Sequence, residues 1–468
     1  MKLSMFNVVV DQTDDYVLLY NSFSGAIVKI SISLYEAMKK PFIEVLPVSL
    51  IGHLKDKGIL VDASINELER YEILHKEWKT GKKVVNFNVL LTYDCNFACP
   101  YCYQGRGEEG RKIHNFSYMD DVTYKATVQF IKNTTKERNS EVLELVLYGG
   151  EPFLLPEKCK ELADEIANWC YENGVKFRLH ALSNGSLLNQ EIVNWLSKYE
   201  CRLQIPIDGS KAMHDKYRFY VKDRAGSYED IMKVLALTKG TGIETHIRIS
   251  LTEETAPTIL DLLDDLVRRG FTHVYPDFCY ITAFTEACQN FGQVCLSDNK
   301  LFRILPTLWR EAHKRGFPLD HVKPAVQPLP CSSVADGSYI IDTFGNVYKC
   351  WELVGLKEHC VGVLDSNGNL EKTTCYEDIL NRNPVHIEQC RKHNYLPTCG
   401  GGCVCKAYWN KKTYHASGCG TDSYLLKDKV RVQAEINGTL VGYKQDDFTL
   451  EIMQDKQEPS IRHCYVLV

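Results

Sequence analysis

The chain has 468 residues, a formal net charge of -5, 44% hydrophobic and 25% charged residues. That length exceeds one ordinary core and implies two or three domains of ordinary globular composition. The acidic balance argues against non-specific nucleic-acid binding. No apolar run approaches a membrane span, and Met1 to Phe6 leads into a strand pattern rather than a signal peptide, so the expectation is a cytoplasmic protein acting on neither nucleic acid nor membrane.

Residues 1–80 read as one module. Phe6 to Val10, Tyr16 to Asn21 and Ala26 to Ile30 are strand-like, Ser33 to Lys40 and Val48 to Lys57 helical, and Gly58 to Val61 a closing strand. Glu67 to Thr80 is charged and helical, as a linker would be. Three strands followed by helices suggest a winged-helix-like fold. With the phrase Tyr20-Asn21-Ser22-Phe23-Ser24-Gly25, the module resembles the leader-recognition domain of ribosomal-peptide-modifying enzymes. The resemblance implies that a leader peptide pairs with an exposed sheet edge.

None of the nineteen cysteines precedes Cys95; three lie at Cys95, Cys99 and Cys102, nine between Cys331 and Cys419, and seven are scattered. Clustered thiols in a reducing compartment mean metal rather than disulfides. Cys159 and Cys170, in phase with Leu162, Ile166 and Trp169, read instead as packed core. Cys95, Cys99 and Cys102 follow the apolar strand Val84 to Leu91, and Pro100 excludes a helix, so a loop closing on a metal is expected. A structural zinc takes four protein ligands, whereas an iron-sulfur cube takes one thiolate per iron, so three cysteines leave one iron open. This CxxxCxxC, with Tyr101 before the last cysteine, resembles the signature of the radical S-adenosylmethionine (SAM) superfamily. The resemblance implies that SAM binds the open iron and is cleaved reductively to a 5'-deoxyadenosyl radical.

From residue 84, strands near 84–92, 142–148, 176–183, 202–207, 244–251 and 273–278 alternate with helices near 119–135, 157–172, 189–198, 227–239, 256–269 and 298–315. Six such units imply a parallel α/β sheet curled into a partial (βα)6 barrel over 81–318, with function at the carboxyl ends of its strands. The second strand ends Gly149-Gly150-Glu151-Pro152, where glycines let backbone approach a ligand and Glu151 can accept from an ammonium group. It resembles the family's GGEP motif, which implies binding of the SAM amino group. Ser183-Asn184-Gly185 ends the third strand and Ile207-Asp208-Gly209 the fourth, followed by His214 to Arg218. The resemblance places ribose contacts at Ser183 and Asn184 and the SAM carboxylate at Arg218; Tyr101 and Asp208 join the cofactor site.

Residues 319–430 are rich in glycine and cysteine, with Asp342 to Asn346 as a hairpin turn between Cys331 and Cys350. The run Cys390, Cys399, Cys403, Cys405 and Cys419 completes a resemblance to the SPASM extension of peptide-modifying radical SAM enzymes, which holds two auxiliary clusters. It implies Cys331, Cys350 and Cys403 on an inner cluster and Cys390, Cys399 and Cys419 on an outer one. His393 stands where the pattern has a cysteine, leaving Cys405, with Cys360, Cys375, His393 or an open site, to complete the sets. Residues 431–468 read as a β tail, with strands at Val430 to Glu435 and Leu440 to Tyr443 around Asn437-Gly438; Cys464 is no ligand. The expectation is a radical SAM maturase of the sactipeptide or ranthipeptide type. It would carry SAM and three 4Fe-4S clusters, take electrons from a flavodoxin or ferredoxin, and form a thioether in a cysteine-containing precursor peptide of leader plus core. The alternatives are carbon-carbon crosslinking, serine or cysteine oxidation as in sulfatase maturation, and a non-enzymatic iron-sulfur or zinc protein.

Overall fold

The computed structural model describes residues 1–40, 46–102, 104, 117–281, 292–319, 322–437, 440–445 and 448–453. Tyr103, Gly438 of the expected tail turn and Cys464 lie outside them. The chain forms two compact units: Met1–Thr80 with Asp320–Ala335 and Arg382–Val466, and Gly81–Leu319 with Asp336–Asn381 and Leu467–Val468. The segment 319–430, expected as one extension, is therefore shared between them.

The first unit opens with β1 (Lys2–Leu3), β2 (Asn7–Gln12), β3 (Tyr16–Asn21), β4 (Ile27–Ser31) and β5 (Leu60–Val61). β2, β3 and β4 form an antiparallel meander, while β5 pairs with β1 instead of closing that sheet. Helices Ile32–Met38 and Val48–Asp56 bury Leu34, Met38, Leu50 and Leu54 against Val17, Leu19, Val28 and Ile30. Each such side chain contributes roughly 1.5–3 kcal/mol by leaving water. Helix Glu67–Thr80 is no linker: Tyr71 and His75, one turn apart, are buried, and the Tyr71 hydroxyl donates to Pro328 O at 2.9 Å.

The second unit carries β6 (Val84–Thr92), β7 (Val142–Gly149), β8 (Lys176–Leu182), β9 (Cys201–Pro206), β10 (Glu244–Leu251) and β11 (Tyr275–Tyr280), all parallel and paired in sequence order. The expected barrel strands stand within about two residues of their expected bounds, as buried parallel strands of apolar residues should. Between them lie amphipathic helices such as Ile259–Arg268, which buries Ile259, Leu262, Leu263 and Leu266 at helical spacing. Beyond β6 the sheet continues through β12 (Ser338–Ile341), parallel to it, and antiparallel β13 (Asn346–Tyr348), β14 (Gly362–Leu364) and β15 (Leu370–Lys372), giving ten strands. The β12–β13 turn is set by Asp342, whose Oδ1 accepts from Phe344 N and Asn346 N at 2.9 Å each.

The tail returns to the first unit. Val430 to Glu435, expected as a strand, lies in helix Leu426–Asn437: the alternation of Val430 and Val432 mimics a strand, but Leu426, Val430 and Gln433 share one buried face. The helix packs Leu426 and Val430 on Val8, Val10 and Tyr20. β16 (Leu440–Gln445) and β17 (Phe448–Met453) then form a hairpin whose second strand pairs with β4, Leu450 opposite Ile30 and Ile452 opposite Val28. The sheet order is β16-β17-β4-β3-β2, so the edge of β4 is covered by the chain's own tail. At the other end, Val10 O accepts from Arg431 and Asn7 O from Asn394, both at 2.8 Å. Among the described residues no helix is long and apolar enough to cross a membrane.

Candidate active site at the carboxyl ends of the barrel strands

The loop after β6 is tied down by backbone before any ligand is considered. Thr92 Oγ1 accepts from Asp94 N at 2.8 Å and Asp94 Oδ1 from Cys95 N at 2.8 Å, while Ala98 N donates to Phe219 O and Val221 N to Asn96 O. Three thiols are thereby held together. Burial drives the Cys95 thiol well above its ordinary pKa, with Glu151, Cys99 and Cys102 adding to the rise. Burial likewise pushes Cys99 up to about 12, against the pull of Arg218. Thiols whose ionisation is disfavoured by burial, as at Cys95 and Cys99, ionise more readily as ligands of a metal cation. Donors are already aimed at the sulfurs: Phe97 N at 3.4 Å and Asn184 Nδ2 at 3.7 Å from Cys95, and Arg218 Nη1 at 3.9 Å from Cys99.

The strand end Gly149 to Pro152 meets backbone closely. Gly149 has φ +142°, and a Cβ there would strike Thr92 O; a Cβ on Gly150 would strike the backbone of Tyr93 and Asp94. The glycines let β7 approach the cysteine loop, with Gly150 N donating to Thr92 O at 2.9 Å and Glu151 N to Asp94 O at 2.7 Å. Glu151 is fully buried: Oε1 accepts from Ser183 Oγ at 2.8 Å and Phe153 N at 3.1 Å, Oε2 from Asn184 N at 2.6 Å. Both oxygens serve the protein, locking the end of β7 to the end of β8, and burial raises its pKa to about 7 against those bonds. Pro152 is buried and opens the 3-10 turn Pro152–Leu154.

At the end of β9, Asp208 is fully buried; Oδ2 accepts from Arg218 Nε at 2.6 Å and from the Tyr101 hydroxyl, and Oδ1 from Ser250 N at 3.0 Å. Burial opposes its charge, yet Arg218 and His214 hold its pKa below the usual carboxylate range. Arg218 thus bridges Asp208 to Cys99. Residues to which the motifs gave no role complete the frame. His214 takes Asp208 N on Nδ1 at 3.2 Å and meets Ser227 Oγ through Nε2 at 2.9 Å; Asn96 links Asn184 and Ser186 at 2.8 Å each. A belt of polar pairs also crosses the sheet: Arg178 with Glu144, Arg202 with Glu244, and His246 between Glu244 and Asp277 at 2.8 Å each. Its signal was legible as charged residues at every second position of otherwise apolar strands.

Residues 89–266 match the family model of the Radical SAM superfamily. The chain carries a radical SAM superfamily domain. It is 22% identical over 330 residues to the cysteine-type anaerobic sulfatase-maturating enzyme of Clostridium perfringens (strain 13 / Type A), spanning 66% of this chain and 85% of that protein. The structure of native anSMEcpe with bound AdoMet and Cp18Cys peptide superposes with a TM-score of 0.59 at 16% identity, covering 75% of this chain and 97% of that one. Streptococcus suis SuiB bound to precursor peptide SuiA gives a TM-score of 0.50 at 13% identity, covering 90% and 99%. At these identities the structures speak for the radical SAM fold.

The superfamily implies SAM and a 4Fe-4S cluster, and the three thiols with their N–H donors fit a cube. Among the described residues no group of three His, Cys, Asp or Glu could hold a single metal ion, whereas a cube takes one thiolate on each iron. In the first unit, Cys390 is pushed up to about 12 by burial and then by Cys399, with Cys419 adding to it. Cys331 Sγ lies 2.7 Å from Ser333 Oγ. Cys403 caps helix Val404–Lys411, its sulfur accepting from Lys406 N at 3.4 Å, and Cys405 is buried in the first turn of that helix. His393 is exposed, its ring edge-on to Tyr395. Cys350, Cys360 and Cys375 belong to the second unit, where the Cys360 thiol donates to Gly362 O at 3.1 Å.

Proposed function

We propose that this radical SAM enzyme modifies a ribosomally made, cysteine-containing precursor peptide, abstracting a hydrogen from a peptide carbon and joining a cysteine sulfur to that carbon as a thioether. Cys95, Cys99 and Cys102 would hold a 4Fe-4S cluster whose open iron binds SAM and supplies the hydrogen-abstracting radical. Tyr101, Ser183, Asn184, Asp208 and Arg218 shape the SAM pocket, and Gly149, Gly150, Glu151 and Pro152 hold its wall. Cys331, Cys350 and Cys403, with Cys405, would carry an inner auxiliary cluster, and Cys390, Cys399 and Cys419 an outer one. Electrons come from a flavodoxin or ferredoxin.

The observation that carries the peptide reading lies in the first unit, where a strand-pairing sheet is built onto the thiol loop. Tyr20 OH lies 3.2 Å from Thr398 Oγ1, Ser22 Oγ donates to Asn394 O, and Phe6 and Tyr71 pack with Cys390 and Leu396. The peptides in the anSMEcpe and SuiB structures support the same substrate class. Because β17 covers β4, a leader that pairs there displaces the tail.

The test is intact mass of candidate precursors after anaerobic turnover. A thioether product lacks two hydrogens, one carried off in 5'-deoxyadenosine and the other released as a proton with its electron passing to an iron-sulfur centre. It consumes one thiol per ring and survives thiol reductants; an unchanged precursor beside rapid SAM cleavage opposes the proposal. A second reading, oxidation of a cysteine or serine to an aldehyde, is favoured by the sulfatase-maturating relative and is recognised by trapping with a hydrazine.

A further inference from the structure

In the first unit a guanidinium sits where, among the described residues, no carboxylate forms an ion pair with it. Arg382 is fully buried, at 0% exposure. Its Nε donates to Tyr414 O at 2.8 Å, Nη1 to Gly400 O at 3.1 Å, and Nη2 to Gly401 O at 2.7 Å and Ala416 O at 3.1 Å. All four acceptors are neutral carbonyls. Two belong to the turn Gly400-Gly401-Gly402, all left-handed at φ +56°, +84° and +77°, which leads from Cys399 to Cys403. The other two lie just before Cys419. A Cβ on Gly401 would come within 3.1 Å of two guanidinium nitrogens and 2.8 Å of Pro384, so the turn is shaped around this side chain.

The guanidinium is charged at any working pH, and a buried charge needs a partner of opposite sign. Among the ionisable groups that act on it Cys390 comes first, followed by Cys331, Tyr71 and Cys403. A second cation adds to the excess: Lys79 Nζ donates to Arg382 O at 2.9 Å, and its ammonium is held below its ordinary pKa by burial and by Arg382. The loops this fork braces are those that carry Cys399 and lead to Cys419, so an anionic centre held there would supply the missing charge.

We propose that Arg382 is a positioning residue for the iron-sulfur centre on Cys390, Cys399 and Cys419: its fork fixes the ligand loop, and its charge raises the centre's reduction potential. The inference rests on the auxiliary-cluster reading given above. Reduction adds one negative charge to the centre, and a fixed cation nearby in a dry surround stabilises the reduced state over the oxidised one.

The test uses the full chain, reconstituted anaerobically, as wild type, Arg382→Lys and Arg382→Met. Iron is counted first, and each auxiliary signal is then titrated by paramagnetic resonance against applied potential. The expected result is about twelve irons in the wild type. In Arg382→Met one auxiliary couple shifts negative by at least tenfold in its reduction equilibrium constant, about 59 mV for one electron. In Arg382→Lys, which keeps the charge and loses the fork, that couple shifts by less than half as much. The centre on Cys95, Cys99 and Cys102 is unmoved in both. If Arg382→Met does not fold, Arg382→Gln, a neutral donor, is titrated with the same expected shift. A wild type holding only about four irons overturns the auxiliary-cluster reading and this assignment with it. A wild type with all its clusters, beside a neutral variant titrating at the wild-type potential, overturns the assignment alone.

Discussion

Replacing Gly150 by alanine tests whether β7 and the cysteine loop depend on backbone contact. The new Cβ would meet three backbone atoms, among them Tyr93 O at 2.6 Å, and no flexible side chain that could yield. The nearest is Asp94 O, and restoring ordinary contact with it needs a retreat of roughly 1.4 Å. That retreat strains the bonds from Gly150 N to Thr92 O and from Glu151 N to Asp94 O. Overpacking costs about 1–3 kcal/mol and the two bonds about 1 kcal/mol each, so the local loss is about 3–5 kcal/mol. The assay is amide exchange at Gly150 and Glu151 with iron counted in parallel, because a chain of two units need not unfold in one step. Exchange should speed by roughly two to four orders of magnitude, and about four irons should be lost. Gly52, within helix Val48–Asp56, is the control: nothing lies within 4 Å of its Cβ, and alanine there should stabilise by about 0.5–1 kcal/mol. Wild-type exchange and iron in Gly150→Ala would refute the reasoning.

Alanine at Cys95, Cys99 and Cys102 together should abolish cleavage of SAM to 5'-deoxyadenosine and methionine and remove about four irons while sparing the rest; undiminished deoxyadenosine would sink the assignment. Phe6, 1% exposed and stacked on Phe23 at 5.7 Å, packs with Cys390, so Phe6→Ala should cost about 3–5 kcal/mol and lower iron content, read by denaturation and metal analysis. Ending the chain at Asn437 removes β16 and β17 and bares β4, so a fluorescent leader peptide should bind more tightly; equal affinity would show that β4 is not the recognition edge. His246→Gln tests the polar belt by pH. Burial disfavours the imidazolium, but Asp277 and Glu244 raise its pKa, so its stabilisation is complete below about 6.5 and fades as pH climbs through the raised value. Glu244, lowered to about 2 by His246 and Arg202 against burial, contributes above its unfolded value and fades as pH falls through about 2. The Tm gap between wild type and His246→Gln should therefore be widest near pH 4.5–6.5, and a gap constant from pH 5 to 9 would count against the pairing.

The barrel was legible because buried parallel strands are nearly unbroken apolar runs, and stops such as Asn173-Gly174 mark where helices end. Pairings between distant segments carry no comparable mark. Nothing in Phe448–Met453 announces that it will lie beside β4, nor in Lys2–Leu3 that it will take β5 as partner. Helix Glu67–Thr80 misled by composition, since its charged residues conceal a buried Tyr71 and His75. The motif at Gly149 to Pro152 was legible as a place where backbone comes close. Spacing indicates where backbone must come close, and here the close neighbour is the loop of Thr92 to Asp94.

Arg382 shows why the thiol segment was harder to read than the thiols themselves. Asn381-Arg382-Asn383-Pro384 has the look of a surface turn, and arginine is almost never fully buried unless paired. An unpaired buried ion costs several kcal/mol even after the surroundings relax, and four carbonyls lower that cost without supplying charge. On the proposed assignment the anion is the centre on Cys390, Cys399 and Cys419, and Cys390 is the thiol that acts on the guanidinium most. With auxiliary clusters assigned in this way, folding of this segment and metal binding are one equilibrium: each thiolate bound to iron would stabilise the guanidinium, and the guanidinium holds the turn that leads from Cys399 to Cys403.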